Sequence, residues 1–113
     1  MGKLYQVQVT EQAERQMREI ARYITSELKA PNAALRLFDE LEKSISSLSD
    51  LPGRVSLTDE EPWRSNGLRR MPVRNYLVYF WINEAELTVH VTAVIYHARD
   101  QKRQLSQMEM EMK

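Results

Sequence analysis

The chain has 113 residues, of which 42% are hydrophobic, a size and composition that fit one compact domain and exclude two. Sixteen basic and sixteen acidic residues cancel, which excludes the uniformly basic surface typical of many nucleic-acid-binding proteins. The absence of cysteine excludes disulfides and thiolate chemistry, and with only two histidines we expect neither a metal nor another cofactor.

The first half of the chain predicts a strand followed by two helices. Residues 4–9 alternate apolar and polar side chains, which is typical of a strand with one wet face. Thr10 is a suitable N-cap for a first helix, whose apolar residues between 13 and 28 recur at helical spacing. Pro31 breaks this helix and starts a second, with the same periodicity over residues 34–48. The two should form an antiparallel hairpin that packs on a sheet.

Three further strands are predicted after a loop at residues 54–66. They span residues 68–73, 76–82 and 88–96. The middle one, YLVYFWI, is apolar on both faces and should be central in the sheet. It is also the longest apolar run and is too short to cross a bilayer, so we expect no membrane association.

The last predicted strand should present one face to the helices and leave the other partly open. Alternation places four apolar residues on the helix side: Val89, Val91, Ala93 and Ile95. It places Tyr96 on the open face, together with His90, for which we expect a structural polar contact. Trp63, in the preceding loop, is expected to anchor that loop, and Phe80 and Trp81 to lie in the core.

These elements predict a single α+β domain over residues 1–113. A mostly antiparallel sheet of about four strands would carry the N-terminal helical hairpin on one face. Asp100 could cap a short C-terminal helix from residue 101 to about 107. We expect residues 108–113, MEMEMK, to form a disordered tail.

Positive charge is concentrated in one part of this neutral chain. Residues 62–83 contain no acidic residue and four arginines: Arg64, Arg69, Arg70 and Arg74. More basic residues follow the last strand, namely Arg99, Lys102 and Arg103. If the strands are neighbours, both groups approach one end of the sheet, where guanidinium groups could bind phosphate. The structural alternative is that strand arginines deter aggregation and pair with the acidic loop at residues 59–61.

A histidine stands beside this charge at the end of the last strand. In TAVIYHARD, His97 is the residue best suited to move a proton near neutral pH, and Tyr96 beside it could donate a proton or stack on a base. The alternative for Tyr96 is a half-buried structural role.

The segments GLRRMPV and NYLVYFWI, the terminal YHARD and the order of elements resemble the RelE/ParE superfamily of bacterial toxins from type II toxin-antitoxin modules. The resemblance extends over about residues 3–106. It implies a cytoplasmic toxin that arrests growth and is neutralised by a cognate antitoxin protein, whose disordered segment folds around it.

The resemblance implies two alternative mechanisms. RelE-like members cleave mRNA on the ribosome without metal, whereas ParE-like members poison DNA gyrase and need no nuclease chemistry. For cleavage, the 2′-hydroxyl attacks the adjacent phosphate, which requires proton transfer and fixed cations. We assign the catalytic roles to His97, Arg70, Arg74 and Tyr96, and phosphate binding to Arg69, Arg99 and Arg103.

One position departs from the ribonuclease pattern. Those toxins carry arginine at the start of the central strand, in a run like RLVY, where this chain has Tyr76. Arg74 or Arg70 would have to supply the missing charge. With that substitution of roles, we predict mRNA cleavage. Gyrase poisoning is the alternative, and a pure interaction module is a third possibility.

Overall fold

The computed structural model describes residues 4–97, and these contain two α-helices and four strands in the predicted order. The elements are β1 (Gln6–Val9), α1 (Glu11–Ser26), α2 (Pro31–Ser46), β2 (Arg69–Val73), β3 (Tyr76–Asn83) and β4 (Thr88–Tyr96). The helix expected at residues 101–107 and the tail at 108–113 lie outside the described residues. Neither described helix is long and apolar enough to cross a membrane.

The four strands form one mixed sheet in the order β1-β4-β3-β2. The pairs β2–β3 and β3–β4 are antiparallel, as predicted, and β3 is central. The prediction of a mostly antiparallel sheet is confirmed, and the one parallel pair is at an edge, where β1 runs parallel to β4. The two helices and two further strands lie between β1 and β4 in the chain, so no hairpin turn constrains their relative direction.

The helical hairpin covers one face of this sheet, as expected. Thr10 caps α1, since its Oγ1 accepts a hydrogen bond from the backbone N–H of Ala13 at 3.2 Å. Pro31 occupies the first turn of α2, where its missing N–H costs nothing. The main core combines buried residues of both helices with buried residues of the sheet: Ala13, Met17, Ile24, Ala34, Leu37, Leu41 and Ile45 with Val78, Phe80, Val89, Val91 and Val94.

A β-bulge at Thr92 changes which side chains of β4 face the helices. The register steps from Tyr79 opposite Ala93 to Phe80 opposite Val91, so no residue of β3 lies opposite Thr92 in the register. Val89 and Val91 face the helices as predicted, but Ala93 and Ile95 pack on the opposite side, and that part of the prediction is wrong.

The same bulge moves Tyr96 to the helix side of the sheet. Tyr96 lies opposite Tyr76 in the β3–β4 register, and Tyr76 packs against the main core beneath the helices. The expectation that Tyr96 lies on the open face is therefore wrong. Strict alternation from Val89 to Tyr96 fails because one additional residue shifts all later side chains to the other face.

Two glutamines of α1 stabilise the bulged segment. Gln12 Nε2 donates to the carbonyl oxygen of Thr92 at 2.8 Å, and the N–H of Val94 donates to Gln16 Oε1 at 2.8 Å. The short β1 pairs only with Thr88 to Val91, so these backbone groups lie beyond its reach. The glutamines provide the hydrogen-bond partners that a longer edge strand would otherwise supply.

A second core cluster lies on the sheet face away from the helices. Trp63, only 8% exposed, packs with Leu68, Leu77, Tyr79, Ala93 and Ile95. Its predicted role as a loop anchor is confirmed. The loop thus covers part of the face that was expected to be partly open.

Leu41 and Leu35 lie on the same helix but contribute differently to stability. Leu41 is 1% exposed and Leu35 is 69% exposed. We expect Leu41→Ala to lower the free energy of unfolding by about 2–5 kcal/mol, because it leaves a cavity under α2. The matched Leu35→Ala should change it by less than about 0.5 kcal/mol. Urea denaturation measures both values, and equal losses would contradict this packing of α2.

Candidate functional site

A cavity of about 260 Å³ lies at the end of the sheet where the β2–β3 turn meets the end of β4. Its lining residues are Arg74, Asn75, Tyr96 and His97. The backbone N–H of His97 donates to the carbonyl oxygen of Asn75 at 2.8 Å, which fixes the end of β4 against the turn. The structure therefore brings together three of the predicted site residues: Arg74, Tyr96 and His97.

The ring of Tyr96, which lines this cavity, packs against the ring of Tyr76. The centroids of Tyr76 and Tyr96 are 5.4 Å apart, with their planes tilted by 58°, and Tyr96 is 40% exposed. Burial raises the pKa of Tyr76, and the nearby hydroxyls of Tyr96 and Tyr23 raise it further. Tyr76 therefore keeps its proton at neutral pH. As a neutral phenol it cannot supply a positive charge to the site.

Arg74 lies in the tight turn between β2 and β3 and forms an ion pair with a carboxylate of α2. Its φ of 53° lies in the left-handed region, which is uncommon for a residue with a side chain. Its Nε lies 2.5 Å from Oε1 and 2.6 Å from Oε2 of Glu40 in α2. The hydrogen bond from Arg74 lowers the pKa of the Glu40 carboxyl, and Glu40 raises the pKa of Arg74. One charge of the predicted cluster is thus neutralised locally.

Arg69 and Arg70 leave β2 on opposite faces, because successive side chains of a strand alternate. Arg69 Nη1 donates to the carbonyl oxygen of Val55 at 2.5 Å and to that of Gly53 at 3.4 Å. It secures the segment before β2 and does not line the cavity.

Arg70 is held under the acidic loop on the face away from the helices. It lies opposite Tyr79 in the β2–β3 register, and its side chain is 27% exposed. Its Nη2 lies 3.4 Å from Asp59 Oδ2, and its Nη1 lies 3.8 Å from Glu60 Oε2. The predicted alternative, in which a strand arginine pairs with the acidic loop, is confirmed for Arg70.

The phenol beneath this ion pair is protonated at neutral pH. Burial raises the pKa of Tyr79 to about 12; the negative charge of Glu60 acts in the same direction and Arg70 acts against it. Glu60 also accepts a hydrogen bond from Thr58 Oγ1. Arg70 therefore belongs to a structural network that fastens the loop to the sheet.

The expected gathering of all the arginines at one pocket is wrong for Arg69 and Arg70. Arg74 follows Arg70 by four residue steps of extended chain, about 13 Å, and the two pair with different carboxylates. Arg99 and Arg103 lie outside the described residues. The acidic run at 59–61 was visible in the sequence as a partner for Arg70, whereas no local pattern pointed to Glu40.

The second histidine lies elsewhere in the sheet. The ring of His90 stacks on Trp81, with centroids 4.5 Å apart and planes 17° from parallel. Among residues 4–97, no group of three histidine, aspartate or glutamate side chains is placed to hold a metal ion.

Removing Arg74 should raise the pKa of Glu40. Because the pKa of Glu40 is lowered in the folded protein, its ionised carboxylate stabilises the fold at pH values above the ordinary pKa of 4.5. This stabilisation is lost as the pH falls through the lowered pKa. In Arg74→Gln, we expect the Glu40 carboxyl carbon, followed by NMR, to titrate at higher pH than in the wild type. An unchanged titration would contradict the ion pair.

Comparison with known proteins identifies a family. A family model described as the ParE toxin of the type II toxin-antitoxin system parDE matches residues 7–101, which is most of the chain. No curated protein matches the sequence significantly.

Several solved structures share this fold. A chromosomal ParDE toxin-antitoxin system from P. aeruginosa has a TM-score of 0.67 at 14% identity, covering 82% of this chain and 96% of that chain. The RelBE2 toxin-antitoxin complex from Mycobacterium tuberculosis has a TM-score of 0.59 at 20% identity, covering 86% and 95%. A double arginine-to-alanine variant of the E. coli toxin RelE in the free state has a TM-score of 0.58 at 14% identity, covering 94% and 99%.

Proposed function

Because the chain belongs to the ParE toxin family of type II toxin-antitoxin systems, we propose that it arrests growth by poisoning DNA gyrase and not by cutting mRNA. Family membership confirms the RelE/ParE resemblance predicted from the sequence. DNA gyrase is the target implied by the resemblance to ParE-like toxins. Such an action requires a binding surface and no nuclease chemistry.

The ion pairing of the arginines carries this choice. Cleavage by 2′-hydroxyl attack needs fixed cations over the negative charge that develops on the phosphorus centre. Arg70 is paired with Asp59 and Glu60, and Arg74 is paired with Glu40. A phosphate approaching either guanidinium would meet a carboxylate of the same chain, which opposes the charge stabilisation that cleavage requires.

Ribosome-dependent mRNA cleavage is the second candidate. It is favoured by one observation, the shared cavity of Arg74, Tyr96 and His97. In this mechanism His97 would transfer protons between the 2′-hydroxyl and the leaving 5′-oxygen, Tyr96 would donate a hydrogen bond, and Arg74 would contact the phosphate. Arg99 and Arg103 would be further phosphate contacts.

A cognate antitoxin is the proposed protein partner. Two structures with this fold are described as a ParDE toxin-antitoxin system and a RelBE2 toxin-antitoxin complex. A partner segment that folds on binding can cover a large toxin surface, at an entropic cost that its contacts must offset. Action on gyrase would place the toxin in the cytoplasm.

Replacing His97 separates the two mechanisms. We expect cells expressing His97→Gln to stop growing as the wild type does and to show an SOS response, because gyrase poisoning does not use the imidazole as a proton carrier. Growth curves, an SOS reporter and mapping of mRNA 5′ ends after brief induction measure this. His90→Gln is the matched control for loss of an imidazole elsewhere in the sheet. Arrest abolished only by His97→Gln, with codon-phased mRNA ends in the wild type, would contradict the proposal.

Purified toxin should act on gyrase directly. We expect it to inhibit supercoiling and to accumulate covalent gyrase–DNA complexes, and to leave ribosome-bound mRNA intact in a parallel reaction. Unimpaired supercoiling by gyrase at a toxin concentration that cleaves the mRNA would refute gyrase as the target.

A further inference from the structure

The cavity at the end of the sheet is rich in hydrogen-bond donors. Within residues 4–97, the four side chains that line it are a guanidinium, an amide, a phenol and an imidazole; each can donate a hydrogen bond, and none of these four is a carboxylate. Groups of this kind around a small cavity suit an oxyanion, with the guanidinium as the strongest contact because its charge is permanent.

A carboxylate from outside the cavity occupies that contact. Glu40 reaches from α2 to the Nε of Arg74, with both carboxylate oxygens within 2.6 Å. Glu40 and Arg74 are 34 residues apart in sequence, so this contact depends on α2 packing beside the β2–β3 turn. Glu40 therefore occupies the position at the guanidinium where an oxyanion from solution would bind.

We propose that the cavity lined by Arg74, Asn75, Tyr96 and His97 binds a phosphate or carboxylate group, and that Glu40 is an internal competitor that weakens this binding. An anion that binds Arg74 must either displace Glu40 or lie close to its negative charge and be repelled by it. Both outcomes cost affinity. Loss of the Glu40 charge removes the cost and leaves the donors in place.

Arg74 connects the ion pair with the cavity, because the same side chain pairs with Glu40 and lines the cavity. Its φ of 53° is the backbone conformation that a two-residue hairpin turn between β2 and β3 requires. This inference concerns the toxin's own pocket and holds whether the cellular target is gyrase or mRNA.

Titration with inorganic phosphate at constant ionic strength and pH tests the proposal. The backbone amide signals of Asn75 and His97 report binding in the folded protein by NMR. We expect Glu40→Gln to lower the Kd for phosphate about tenfold, since a like charge within a few ångströms is removed. Arg74→Gln should abolish saturable binding in both the wild-type and the Glu40→Gln background.

Asp39→Asn is the matched control. Asp39 neighbours Glu40 on α2 but pairs with Lys43 at 3.1 Å, so its substitution changes the net charge equally without touching Arg74. We expect its Kd to stay within about twofold of the wild type, as for a screened surface charge. Equal tightening by Asp39→Asn and Glu40→Gln would overturn the proposal, because net charge alone would then explain the effect.

A parallel titration with acetate identifies the ligand class. Saturation by phosphate alone assigns a phosphate ligand, and saturation by acetate alone assigns a carboxylate ligand. Absence of saturation by both anions in Glu40→Gln would overturn the proposal. If Glu40→Gln does not fold, Glu40→Ala provides the same test, since it also removes the charge.

Discussion

Side-chain alternation along β2 is the constraint on which the arrangement of the candidate site depends. Because Arg69 and Arg70 are successive residues of one strand, they must leave it on opposite faces. A pair of arginines that looks like a charge cluster in the sequence is therefore divided by the sheet. Arg69 donates a hydrogen bond to a loop carbonyl on one side of the sheet, and Arg70 forms ion pairs with the acidic loop on the other side.

The end of β4 adds a second constraint. The bulge at Thr92 moves Tyr96 to the helix side, where its ring meets Tyr76, and leaves His97 against the β2–β3 turn. Gln12 and Gln16 hold the bulged backbone from α1. The cavity thus depends on how the first helix meets the last strand, and the helical hairpin shapes the site without lining it.

The element order and the main core could be predicted because hydrophobic periodicity reflects burial directly. The helix cap at Thr10 and the anchor at Trp63 carry equally local signals. The bulge could not be predicted, because Ala93, Val94 and Ile95 are all apolar and suit either face of the sheet, so the sequence does not show where the alternation shifts. The pairing of Arg74 with Glu40 was also hidden, since it depends on tertiary packing and leaves no pattern at either residue.

A double-mutant cycle tests most directly whether the arginines act separately. Urea denaturation of Arg70→Gln, Arg74→Gln and the double variant compares the changes in the free energy of unfolding. If each arginine is held by its own carboxylates on different parts of the sheet, the two changes add. If the arginines converge on one pocket, removal of either relieves their mutual repulsion, and the two changes do not add. A clearly non-additive double variant would therefore contradict the separate pairing of Arg70 and Arg74.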